Sequence, residues 1–209
     1  MKTSFVYASL LLTLFWISTI FGENEHAHAM LSCDAESCKS VADQIEYQDK
    51  KPENSITLKT DHFSIEVPNK AIKKIISSKS DTIILYRDNQ LLYISESTGP
   101  EIEGLSPDSV YQYPEIIFKK TPDTTLPEST QEKLFWTTAL ASKPFYFQGA
   151  NEVTYAKNSG LTYYLTDTNE LGFTARSMVT NAKFKHLFLI IEARQMDLST
   201  FKEVVYSVK

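Results

Sequence analysis

Residues 184–209 read F-K-H-L-F-L-I-I-E-A-R-Q-M-D-L-S-T-F-K-E-V-V-Y-S-V-K, and this stretch decides the fold. Leu187 to Ile191 is apolar at every position, so both faces of a strand there must be covered. A half-buried strand would alternate instead. Asp197 then supplies an N-cap, and Leu198, Phe201, Val204, Val205 and Val208 fall on one helical face. A two-sided strand followed by a one-sided helix requires a sheet for the helix to dock on. The fold class is therefore α+β.

Working back toward the N-terminus, Gly172 to Met178 is a candidate strand, and Leu161–Thr166 and Val153–Tyr155 alternate apolar with polar residues. Gly149 and Gly160 bracket these segments. Between Ser106 and about Leu140 the pattern is helical and punctuated by proline. Ser106-Pro107-Asp108 starts one helix, with Pro in its first turn, and Pro114 is expected to limit or kink it. A second helix starts near Pro127. Ser129 and Glu132 form a capping box, and Leu134, Phe135 and Ala139 mark an inward face. Earlier still, Thr82–Arg87 and Leu91–Ser95 flank Asp88-Asn89, a hairpin signal. Ala71–Ser77 carries Ile72, Ile75 and Ile76 at helical spacing. In His62–Pro68, Phe63, Ile65 and Val67 alternate with polar residues, a strand stopped by Pro.

The strand F-S-I-E-V-P at 63–68, the helical middle, the strand F-L-I-I-E-A-R at 188–194 and the helix F-K-E-V-V-Y-S-V-K at 201–209 resemble the PsbP-like family. That family includes the Mog-type Ran-binding proteins. Phe63, Val67, Phe201 and Ser207 match as pattern positions over roughly Ile56 to Lys209. The chain departs from the pattern after Pro68, where Asn69-Lys70 stands in place of Gly-Trp. The resemblance implies an antiparallel sheet flanked by helices, and a domain that binds proteins rather than one that catalyses. It transfers no functional residue, since fold does not fix function.

The first residues, M-K-T-S-F-V-Y-A-S-L-L-L-T-L-F-W-I-S-T-I-F-G, place Lys2 before an uncharged stretch from Phe5 to Phe21. A positive end followed by an apolar run is the signature of a signal peptide. Ser9, Thr13, Ser18 and Thr19 dilute the run, which favours cleavage over a retained anchor. Ala27-His28-Ala29 offers a small-x-small processing site after Ala29; cleavage after Gly22 competes with it. The chain thus divides into a signal peptide at 1–29, a polar arm at 30–55 and an α+β domain at 56–209. Export places the protein in the periplasm or outside the cell. Cys33 and Cys38 are the two cysteines, and an oxidising compartment favours a disulfide between them, tying the arm. Four intervening residues do not suit a redox pair, and a zinc site would need two more ligands. His26 and His28 lie in the segment that processing removes.

The net charge of −5 comes without basic clusters. It argues against nucleic acid, whose binding rests on neutralising phosphates, and against an anionic membrane surface. No N-x-[ST] sequon occurs, which fits a bacterial envelope. Motifs for nucleophilic hydrolysis, zinc proteolysis or phosphate cradling do not occur, and six glycines are few for phosphate loops. No catalytic residue, metal site or cofactor is therefore assigned. His186 is expected to be a hydrogen-bonded, partly buried residue. His62 beside Asp61 has the form of an oriented base, but no nucleophile accompanies it. Glu101 and Glu103 are read as solvated loop carboxylates. Among the aromatics of Pro144–Phe147, with Trp136, Tyr111 and Tyr113, the residues expected at the surface, and so available to a protein partner, are Tyr111, Tyr113 and Tyr146. The reading that follows is an exported, non-catalytic protein-binding domain, with an immunity protein that neutralises a toxin as one concrete form. The alternatives are a structural or small-ligand carrier, and an envelope hydrolase with a dispersed site.

Overall fold

In a computed structural model, residues 36–168 and 173–209 are described. The leader, Ala29 and Cys33 lie outside the described residues. The strands are β1 (Asp43–Gln44), β2 (Ser55–Lys59), β3 (Ser64–Pro68), β4 (Ile72–Ser77), β5 (Asp81–Tyr86), β6 (Leu91–Ser97), β7 (Ala150–Asn158), β8 (Leu161–Thr168), β9 (Ala175–Asn181) and β10 (Phe188–Arg194). The helices are α1 (Glu36–Lys39), α2 (Gln112–Lys119), α3 (Thr130–Phe147) and α4 (Leu198–Tyr206). Eight strands form one sheet in the order β1-β7-β8-β9-β10-β6-β5-β4, while β2 and β3 form a separate hairpin. Every pairing in the large sheet is antiparallel except that of β1 with β7, so the sheet is mixed. Among the described residues no helix is long and apolar enough to cross a membrane.

The two-sided strand lies in the middle of this sheet, as its composition demands. On one face Leu189, Ile191 and Ala193 of β10 join Phe201, Val204 and Val205 of α4 and Phe63, Ile65 and Val67 of β3 in one core. On the other face Phe188 joins Tyr164, Met178 and the buried sides of α2 and α3, including Phe118, Phe135, Ala139 and Phe147. Asp197 caps α4 by accepting from the Thr200 amide at 2.8 Å. After α4 the chain is strapped to β3. Ser64 and Lys209 exchange two backbone hydrogen bonds at 3.0 and 2.9 Å, and the Ser207 hydroxyl accepts from the Glu66 amide at 2.9 Å.

Three local expectations are corrected. Ile72–Ser77 is a strand and not a helix. Its β-branched residues pair with β5, and that long-range pairing overrides an isoleucine spacing with no buried helical face to serve. Pro114 does not end its helix. A 3-10 turn over Pro107–Tyr111 leads into α2, so Pro114 occupies the first turn, where no amide partner is lost. Leu134 points outward and is 52% exposed, while Phe135 and Ala139 face the core. Residues from the polar arm also join this unit. β1 pairs with β7, and Ile45 and Tyr47 pack on the α4-side core.

Candidate functional site

α2 and α3 cover only part of their face of the sheet. The register fixes which residues lie beyond them. One row across this face runs Ile76, Ile83, Tyr93, Glu192, Arg176, Thr166, and the next runs Lys74, Leu85, Leu91, Arg194. A third runs Asp81, Ser95, Ile190, Met178, Tyr164 and enters the helix-covered core. Ile83, Leu85, Leu91 and Tyr93 are each half-buried and belong to neither core, and Ile76 is 44% exposed. The opposite face of the same strands is filled, with Ile84, Tyr86, Leu92 and Ile94 buried under the β2–β3 hairpin. The β4–β6 half of the sheet is thus apolar on both faces and covered by protein on one.

A wall of alternating rings and guanidinium groups borders this open floor where α3 ends. The Arg176 guanidinium lies 3.9 Å from the Phe145 ring centre and 4.6 Å from that of Phe173, and the Arg194 guanidinium lies 4.4 Å from the same Phe173 ring. Arg176 also donates to the Phe145 carbonyl at 2.5 Å and sits 3.6 Å from the Glu192 carboxylate. Burial pushes Glu192 above the ordinary carboxylate range, against the pull of Arg176 and Arg194. Across the floor the Tyr93 hydroxyl donates to Asp81 at 2.7 Å. Burial raises Tyr93 to about 12, so its proton stays in place at neutral pH. For Asp81 burial works against charge, but hydrogen bonds from Tyr93 and the neighbouring serines outweigh it and hold the group below its ordinary value. The polar groups around the floor are therefore fixed, and its centre is apolar.

The tyrosines assigned to a protein partner lie elsewhere. Tyr146 is buried at 6% exposure, against α2 through Phe118. Tyr113 stacks on Phe188 at 5.6 Å and hydrogen-bonds Ser142 at 2.9 Å. Tyr111 is half-buried, and its amide donates to Lys185. For Tyr146 the expectation of surface exposure fails because α3 continues to Phe147. One helical step then turns Tyr146 inward and leaves Phe145, at 44% exposure, as the outward aromatic. Sequence reasoning weighed Phe145 within its aromatic cluster without expecting it at the surface, and missed Arg176 and Tyr93. The continuous apolar runs Ile83–Tyr86 and Leu91–Ile94 on β5 and β6 are the available signal, and they read equally well as core.

The histidines form a separate cluster. The His62 Nδ1 lies 2.8 Å from the Glu96 carboxylate, and the His62 amide donates to the same group at 2.9 Å. Its acidic partner is thus Glu96 of β6 and not Asp61. Burial opposes the charge on Glu96, but hydrogen bonds from Thr60 and His62 hold it below the ordinary range. The ring neighbours of His62 are Phe184 and His186 at 5.0 and 5.5 Å, which supply no nucleophile. His186 is exposed rather than partly buried, because it sits in the turn before β10. Glu96 anchors the turn before β3, a structural role. Among the described residues no group of three His, Cys, Asp or Glu side chains could hold a metal. A surface cavity of about 640 Å3 beside His186 is lined by Glu101, Glu103, Ile102 and Val110. Glu101 and Glu103 are exposed there, as expected. Cys38 is fully buried.

No protein-family model, curated protein or solved structure matches this chain.

Proposed function

We propose that this chain is an exported, non-catalytic protein-binding domain of PsbP-like type that seats a partner on the open half of its sheet. The observation that carries the reading is the contiguous floor of Ile76, Ile83, Leu85, Leu91 and Tyr93, bordered by Phe145 and Arg194. An apolar floor rimmed by fixed polar groups, with aromatic and arginine residues at its edge, has the composition of a protein interface. The flanked sheet is what the PsbP-like resemblance implies, and the leader supplies the route to the periplasm or exterior. There a Cys33–Cys38 bridge would tie the arm, and mass spectrometry of non-reduced peptides checks it. An immunity protein that blocks a toxin is one concrete form of the activity.

The test is a photo-crosslinkable phenylalanine analogue placed at Ile83 and, as a control, at Glu101, in cells that produce the protein. A single envelope protein captured from Ile83 and not from Glu101, and lost when Leu85→Asp is added, is the expected result. Capture that is equal at both positions, or none at either, would overturn the reading.

A further inference from the structure

The two ends of the large sheet are treated differently. At one end β1, only two residues long, caps β7. At the other, β4 is six residues long and terminal in the strand order, so its outward amides and carbonyls face no strand among the described residues. Residues 73–80 are all exposed, and Ile75 and Ile76 are 41% and 44% exposed. An exposed edge strand is a template for strand addition, and the two lysines and the bulge between Ile72 and Lys74 are features that keep such an edge from pairing indiscriminately. The edge is also basic in an acidic protein. Contrary to the expectation of no basic cluster, Lys70, Lys73, Lys74 and Lys79 gather here while the chain carries −5, and none of the four is ion-paired among the described residues.

We infer that β4 accepts an extended, acidic segment of the partner protein as a ninth strand, with carboxylates opposite Lys73 and Lys74 and apolar residues opposite Ile75 and Ile76. This deepens the docking reading above and rests on it. Three observations favour this occupant. The charge of the edge calls for acidic residues opposite it, since opposite charges facing across a strand pair are favourable and like charges are not. A second copy of this chain would bring lysine clusters together. Ile75 and Ile76 pair with Ile84 and Ile83 and so point to opposite faces of the sheet. They cannot both enter one membrane surface, whereas an added strand has two faces to meet them. On the open face it would extend the row Tyr93–Ile83–Ile76 by one residue, making edge and floor one continuous surface.

The probe is a blocked peptide, Thr-Val-Val-Glu-Glu-Val, with Thr-Val-Val-Lys-Lys-Val as its counterpart. Amide exchange and chemical shifts of β4 are followed on the full chain. The acidic peptide should protect β4 amides, and the basic one should not. Reversing two cross-strand charge pairs with Lys73→Glu/Lys74→Glu should weaken the acidic peptide by about tenfold and let the basic one bind. Thermal melts confirm that this variant stays folded. The inference is overturned if the peptides behave alike. It is equally overturned if vesicles of phosphatidylglycerol bind β4 while the acidic peptide does not, or if sedimentation shows that β4 is already closed by a second copy. Capture from Ile83 that survives Lys73→Glu/Lys74→Glu would end this inference and leave the docking reading intact. No capture from Ile83 in the parent chain, together with no protection of β4 by the acidic peptide, would end both.

Discussion

Lys143 is a cation held where water does not reach. It is fully buried on α3, donates to the carbonyls of Ile117 and Lys120 at 3.0 Å each, and lies 4.0 Å from the Phe147 ring centre. It thereby satisfies carbonyls at the C-terminal end of α2 that the helix itself leaves unpaired. Burial lowers its pKa from 10.5 to about 8. Between those values the folded protein has released this proton and the unfolded chain still holds it, so raising the pH favours folding. The Lys143 contribution to unfolding free energy should therefore rise from pH 8 toward 10, by at most about 1.4 kcal/mol per pH unit, against the opposing loss from tyrosines such as Tyr93 and Tyr206 whose pKa burial raises. Lys143→Met should remove that rise in urea titrations at matched pH. Ala71 is also under local constraint, at φ 68 with a β-carbon. The left-handed region costs such a residue roughly 1–2 kcal/mol, so Ala71→Gly should raise Tm or leave it unchanged, and Ala71→Val should lower it.

The end of the chain shows how one short element secures a distant one. Val208 is 1% exposed, Ser207 bonds the Glu66 amide, and Lys209 and Ser64 bond each other twice. Deleting residues 207–209 should cost on the order of 3 kcal/mol through lost burial and lost hydrogen bonds, measured by urea unfolding. Asp197→Ala, which removes only the cap of α4, should cost about 1 kcal/mol. This helix was legible in sequence because cap, spacing and burial agree. So was the β5–β6 turn, where Asp88 and Asn89 take φ 62 and 60, as a tight hairpin requires. Ile72–Ser77 was not legible, because three isoleucines fit either period and pairing with β5 decides between them. The Phe145–Tyr146 reversal was illegible for a related reason. It turns on whether α3 continues through Pro144, and it does, to Phe147. The floor of the candidate site was hidden because the continuous apolar runs on β5 and β6 make both faces apolar without saying which one the rest of the chain will cover.

At the scale of the molecule, Ile83 and Ile84 are neighbours in one strand with opposite fates. Ile84 is fully buried beneath the β2–β3 hairpin, and Ile83 belongs to neither core. If the open floor served stability, both would be costly to replace. Of the floor's neighbouring rows, the one through Ile190 enters the helix-covered core. Ile83→Thr should therefore fall within about 0.5 kcal/mol of the parent, in the range of surface substitutions. Ile84→Thr should cost about 2 kcal/mol or more, because it puts a hydroxyl with no partner into a packed core and removes apolar volume. Denaturant unfolding of the two variants measures the difference directly. A large loss for Ile83→Thr would make the floor part of the fold's own support. A negligible one leaves Ile76, Ile83, Leu85 and Leu91 with no stabilising work inside this chain, and contact with another protein then accounts for apolar residues on a face turned to water.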